Sequence, residues 1–139
     1  MSTVSAKIDY ACQAVLALAV EYDGNHPVPM KGLAKAHNIP AQFLAQIFQQ
    51  LRSAGMVVSI RGANGGYRLS RSPDSISVWD IVSIFETQES SQSSGSPLTT
   101  AIHSTWDDVA SARQQILEST MFADLAKQVA DSGVTMYYI

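Results

Sequence analysis

Gln42, Gln46 and Gln49 fall at intervals of four and three residues, and Ser53 completes the row. At helical pitch that spacing gathers them on one face, polar but uncharged. A primary amide donates and accepts at once, which suits it to base edges in a major groove. Beyond them, Arg61-Gly62-Ala63-Asn64-Gly65-Gly66 offers a guanidinium and an amide on a glycine-rich loop. The glutamine face alone reads equally well as a solvated one, and the loop alone as an ordinary surface hairpin. Charge favours the joint reading. From 24 to 73 the charged residues are Lys31, Lys35, Arg52, Arg61, Arg68 and Arg71, with no acidic residue among them. From 87 to 139 there are two basic residues and six acidic ones. The net charge of −3 therefore conceals a locally cationic region, and local sign steers a partner more than the total does.

Other chemistries find little support. His26, His37 and His103 are far apart and lack metal-ligand spacing. The glycines at 62, 65 and 66 open no helix and precede no Lys-Ser/Thr pair, so they do not form a phosphate loop. The serine-rich segment lacks a nucleophile-elbow setting. No catalytic constellation emerges, so an enzyme is not expected, nor a metal or cofactor. The single cysteine, Cys12, cannot form an internal disulfide, which fits a reducing, cytoplasmic setting. It reads as a small buried hydrophobe. A redox-sensing thiol would need exposure and a positive field, neither of which the sequence displays.

The elements that must position these groups follow from periodicity. Ser5–Tyr22 reads as a first helix, with Ala11, Val15, Leu18, Ala19 and Tyr22 inward and Ser5 or Thr3 as cap. Asp23 to Pro27 is a turn, Val28–Met30 a short strand, and Lys31–His37 a short helix. Asn38-Ile39-Pro40 is a tight turn into a second helix, with Pro40 suited to its start. Phe43, Leu44, Ile47, Phe48 and Leu51 form that helix's inner face, and Gly55 its stop. Two helices across a short turn make a helix-turn-helix. In such motifs the residues early in the second helix reach bases, here Ala41, Gln42, Ala45 and Gln46. Met56–Ile60 and Tyr67–Leu69 pair antiparallel, and Asn64-Gly65 reads as a tight hairpin turn at positive φ. A helix followed by a basic hairpin is the core of a winged helix-turn-helix.

A further helix spans Ser75–Glu86, with more apolar surface than one face needs. Residues 87–97 carry five serines and read as a linker. Leu98–Glu118 is the longest helix, and Ile102, Trp106, Val109, Arg113 and Ile116 form a 4-3-4-3 seam suited to a second copy of the chain. Ser119 or Thr120 caps a last helix that turns Phe122, Leu125, Ala126 and Val129 inward. The fold class expected is mainly α with a small β wing. It divides into a winged DNA-binding domain at 1–86, the linker at 87–97, dimerisation helices at 98–131 and a tail at 132–139. At 46% hydrophobic the chain can bury a core, yet no apolar run is long enough to span a membrane. The N-terminus lacks the pattern of a signal peptide.

With these residues placed, the chain resembles the Rrf-type (Rrf-two) family of bacterial transcription regulators over nearly its whole length. The resemblance rests on Lys7 and Tyr10-Ala11. It continues through Ile39, Phe43-Leu44, Gln46-Ile47, Leu51-Arg52 and Gly55 to Arg61-Gly62 and Gly65-Gly66-Tyr67-Arg68-Leu69. The segment Ile76–Glu86, Trp106 and Ala123-Asp124-Leu125 fit the family's later pattern. The resemblance implies a homodimer on double-stranded DNA, with each recognition helix in a major groove and each wing in the flanking minor groove. Lys7 and Tyr10 would meet phosphates, Gln42 and Gln46 the major groove, and Arg61 and Asn64 the minor groove. The candidate DNA-binding set is completed by Ala41, Ala45, Arg52, Gly62, Gly65 and Arg68.

The chain also departs from the family. Ala45 stands where several relatives carry a glutamate used in base discrimination, and Asp9 where a basic residue is common. Many relatives hold an iron–sulfur cluster on three cysteines, but 87–105 contains none. His103 aligns with a cluster-ligating histidine of one relative, and a lone histidine cannot replace thiolates. The expectation is a cluster-free, sequence-specific repressor. The alternatives are a cluster sensor whose cysteines have been replaced by the serines at 90, 91, 93, 94 and 96, and an adaptor docking a partner enzyme through the Val78–Phe85 helix and the Val134–Ile139 tail. A small-molecule site between the Trp79 and Trp106 helices has no polar constellation behind it. The sequence names neither an effector nor a partner protein.

Overall fold

The computed structural model describes residues 5–86 and 95–133. Thr3, the tail at 134–139 and the linker serines at 90, 91, 93 and 94 lie outside them. The first helix, α1, runs Ala6–Val20. The Ser5 hydroxyl accepts from the Ile8 N–H at 3.2 Å, and Asp9 in the first turn complements the helix dipole. It ends two residues before Tyr22, where Gly24 turns the chain at a φ of +92°. Ala11, Ala14, Ala17 and Ala19 are buried with Val15 and Leu18. Such small side chains let α1 be covered on several sides, and later helices pack there.

Helix α2 spans Met30–His37 and α3 spans Ala41–Ser53. Asn38 adopts a left-handed conformation at φ 54°, the Ile39 N–H returns to the Ala34 carbonyl at 3.0 Å, and the Ile39 side chain is buried. That C-cap sets the sharp turn between the two helices. Pro40 sits in the cap position just before α3, its ψ of 129° still extended. Gly55 closes α3 at φ +77° while the Met56 N–H bonds the Leu51 carbonyl at 2.9 Å. Strands β1 (Val57–Ile60) and β2 (Gly66–Leu69) pair antiparallel in a register from Val57–Leu69 to Ile60–Gly66. The expected strand at Val28–Met30 is reduced to one residue, Val28, which bridges Tyr67. Pro29 ends it by serving as the cap of α2.

The helix expected from Ser75 begins later. Pro73–Ser75 is a single 3-10 turn, Ile76 is extended, and α4 occupies Val78–Phe85. Its start is fixed by a reciprocal cap in which the Asp80 N–H donates to the Ser77 hydroxyl at 3.1 Å and the Ser77 N–H donates to the Asp80 carboxylate at 2.9 Å. Helix α5 spans Pro97–Ser119 and buries none of its residues. The last helix, α6, spans Phe122–Asp131 and starts from Met121. Neither Ser119 nor Thr120 caps it, because both hydroxyls turn back to the Ile116 carbonyl, at 3.0 and 2.8 Å.

The grouping of α6 with α5 outside the winged domain does not describe its packing. The Phe122 N–H bonds the Ile76 carbonyl at 3.0 Å and the Val78 N–H bonds the Thr120 carbonyl at 2.9 Å. Phe122 is fully buried, and α6 lies along α1. The chain leaves the domain through α5 and returns. Phe122→Ala is therefore expected to cost about 3–5 kcal/mol, the usual loss for a fully buried phenylalanine. Urea denaturation followed by circular dichroism would show it, and a loss below about 1 kcal/mol would mean that α6 is not part of the core.

Candidate nucleic-acid interface

Helix α3 buries Leu44, Ile47, Phe48 and Leu51. Its opposite face leaves Ala41, Gln42, Ala45, Gln46, Gln49, Arg52 and Ser53 in solvent. Phe43, expected inward, is 41% exposed. One residue before Leu44, it stands about 100° around the helix, at the edge of the buried arc. There its ring meets that of Tyr10 at 5.9 Å between centroids, which brings Tyr10 of α1 beside the start of α3.

In the wing, Arg61, Gly62, Ala63 and Asn64 are exposed. The turn is not a two-residue Asn-Gly hairpin. The Gly65 N–H donates to the Gly62 carbonyl at 3.0 Å, and the positive φ, +118°, belongs to Gly62. Ala63 and Asn64 fill the centre of this turn with ordinary negative φ, because the strands end at Ile60 and Gly66 and leave five residues to close the loop. A Cβ at Gly66 would lie 2.2 Å from the Val28 carbonyl oxygen, so backbone crowding demands glycine there.

Tyr67 holds the wing to the helix, a role periodicity did not assign. Its carbonyl accepts from the Val28 N–H at 2.7 Å, and its N–H donates to the Val28 carbonyl at 2.9 Å. Its ring stacks on Phe48 of α3, 4.3 Å between centroids and 6° from parallel. The available signal was its place in the strand after the glycines, opposite Ser59. The wing is thereby fixed against the inner face of the helix whose outer face carries the glutamines.

The cations divide into two groups. Arg71 pairs with Asp80 at 3.3 Å, and half-buried Arg68 turns a guanidinium nitrogen to the Leu69 carbonyl at 3.5 Å. Lys7 lies 5.8 Å from the centre of the Phe85 ring, so the expected phosphate contact is shared with a cation–π contact to α4. Among the described residues no ion pair engages Lys31, Lys35, Arg52 or Arg61, all exposed. On α5, Ile102, Trp106, Val109 and Ile116 are exposed, Trp106 at 57%. Arg113 departs from this seam because its guanidinium donates to the Glu86 carboxylate at 2.6 Å, tying α5 to the end of α4.

Residues 4–128 match the model of the Rrf2 family, described as iron-dependent transcriptional regulators. The chain belongs to the Rrf2 family. It is 33% identical over 98% of its length to the transcriptional regulator CymR of Bacillus subtilis, covering 99% of that protein. The regulator IscR of Aliivibrio salmonicida is 31% identical over 92% of this chain and 82% of its own. Among solved structures, IscR of T. potens superposes with a TM-score of 0.80 at 32% identity, covering 99% of this chain and 95% of that one. The structure of B. subtilis CymR gives 0.79 at 33% identity, over 92% and 98%. This Rrf2 protein is accordingly a winged-helix, DNA-binding transcription regulator, and its relatives are named as regulators rather than enzymes.

The residues present do not fit a thiolate-held iron–sulfur cluster. The chain has one cysteine, and Cys12 packs against the core of α1, where burial and then the Asp9 charge push its thiol up to about 11. Among the described residues no three His, Cys, Asp or Glu side chains gather as a metal site. A raised thiol pKa keeps the group neutral, so its contribution to stability is complete below the ordinary value of 9.0 and is lost as pH climbs through about 11. Because the thiolate is the nucleophile, iodoacetamide should label native Cys12 about a hundredfold more slowly at pH 8 than the urea-unfolded chain. Equal rates would place the thiol in solvent.

Proposed function

We propose that two copies of this chain form a homodimer that represses transcription by occupying a specific DNA sequence in the cytoplasm, without an iron–sulfur cluster. Each α3 enters a major groove and each wing reaches the flanking minor groove. Lys7, Tyr10, Arg52 and Arg68 border the backbone. Ala41, Gln42, Ala45 and Gln46 face base edges, and Arg61 and Asn64 enter the minor groove while Gly62 and Gly65 shape the turn. The observation that carries this reading is the exposed Arg61, engaged by no ion pair among the described residues, on a wing locked to the inner side of the helix whose outer face carries the glutamines. The apolar row Ile102, Trp106, Val109 and Ile116 supports the dimer, since exposed apolar side chains in series on one long helix gain most by packing on their own copy.

Titration of the protein against its own upstream promoter DNA and against random duplex of equal length tests the proposal. Affinity for the promoter should exceed that for random duplex by about a thousandfold or more, and about six phosphate contacts should give a log–log salt slope of about −5. Equal affinity would refute sequence-specific regulation. A stoichiometric partner enzyme co-purifying with protein that shifts no DNA would favour the adaptor instead. Arg61→Ala should weaken promoter binding by about 1–3 kcal/mol, and an unchanged Kd would remove the wing from recognition. Trp106→Asp should yield a folded monomer in analytical ultracentrifugation with DNA affinity at least tenfold lower. A dimer that survives this change would place the contact elsewhere.

A further inference from the structure

The exposed face of α3 has an unusual chemistry for a DNA reader, and that chemistry carries a statement about which bases it reads. At 100° per residue, Ala41, Ala45, Gln49, Gln42 and Gln46 follow one another around a single arc. All five are exposed. Over the first two turns this arc carries amides and methyl groups and no charge. Guanine is most often read by a bidentate Arg or Lys on its O6 and N7, and cytosine by a carboxylate accepting from its N4 amine. Neither partner is present. The one cation on the arc, Arg52, stands in the last turn of α3, about 10 Å along the axis from Ala45. A glutamine amide instead matches adenine N6 and N7, and an alanine methyl packs on the C5-methyl of thymine. The edge of the arc adds a further apolar group, the exposed part of Phe43, held in place by Tyr10.

We propose that α3 reads A·T base pairs, with Gln42 and Gln46 hydrogen-bonding adenine and the methyl groups of Ala41 and Ala45 contacting thymine methyls. This rests on the DNA-binding reading above and adds the base identity of the major-groove half-site. Ala45 is the specificity-determining residue: it lies between Ala41 and Gln49 on the arc, and any longer side chain there would hold the helix away from the thymine methyl. The contact is apolar, so it discriminates thymine from cytosine by a methyl group rather than by a hydrogen bond.

The test selects binding duplexes from a randomised pool with the full-length protein, then replaces each selected thymine in turn by uracil, which removes only the C5-methyl. Selected duplexes should carry A·T pairs at the positions protected in the major groove. Uracil at the Ala45 contact should weaken wild-type binding about fourfold, the factor corresponding to about 0.8 kcal/mol for one buried carbon. The same replacement should leave the affinity of Ala45→Gly unchanged. Because each comparison is made within one protein, any loss of helix stability from glycine cancels. Enrichment of G·C pairs at the protected positions, or indifference of the wild-type protein to every uracil, would overturn the A·T assignment while leaving sequence-specific binding intact. Failure to enrich any sequence would overturn both.

Discussion

Tyr67 is fixed from two directions, and the geometry of the interface depends on it. Its backbone exchanges both hydrogen bonds with Val28, while its ring lies flat on Phe48. Phe48 belongs to the inner face of α3, so the stack couples the wing's angle to the rotation of the helix about its axis. A two-stranded ribbon alone is marginal in water. Here the third strand is a single residue, and crowding at Gly66 shows how closely the ribbon is drawn onto it. A wing held this way sets the backbone that carries Arg61 at a defined displacement from Gln42 and Gln46, so the ordering left to a partner is mainly that of exposed side chains.

The same economy appears in how the remaining elements close on α1. Its alanines allow α3, α4 and α6 to approach it, and the reciprocal Ser77–Asp80 cap orients α4 while the Ile76 carbonyl accepts from the Phe122 N–H and the Val78 N–H donates to the Thr120 carbonyl. Helix α5 is then left projecting, tethered by Arg113 to Glu86. An ion pair with both side chains near one-third exposed fixes orientation more than it adds stability. It sits where α4 ends, next to Phe85, whose ring faces Lys7 of α1. A displacement of α5 would therefore be felt at Lys7, the residue proposed to border the DNA backbone.

The parts legible in the sequence were those set by local rules. The period of Leu44, Ile47, Phe48 and Leu51 defined α3, Gly55 ended it, and the acid-free stretch marked the cationic side. Parts decided by distant contacts were not legible. Phe122 and the apolar side of α6 look the same whether they meet a second copy or α1. Phe43 adjoins the apolar stripe yet stands at its edge, and its neighbour there is Tyr10, thirty-three residues earlier. The Asn64-Gly65 pair invites a tight turn, but strand register left a five-residue loop and gave the positive φ to Gly62. Arg68, Arg71, Lys7 and Arg113 look alike as charges, and only the fold separates them, each engaged within the chain, from Arg61, which no ion pair engages among the described residues.

In the proposed complex, glutamine helix and wing grip the duplex together, in two copies side by side. Hydroxyl-radical footprinting of the protein on a selected duplex reads this directly, since it reports protection of each sugar along both strands. The expected footprint is symmetric with two equivalent halves, each protecting the backbone beside one major groove and the minor groove flanking it, and with the minor-groove protection alone lost in Arg61→Ala. A single one-sided patch, or flanking protection unchanged by Arg61→Ala, would contradict it.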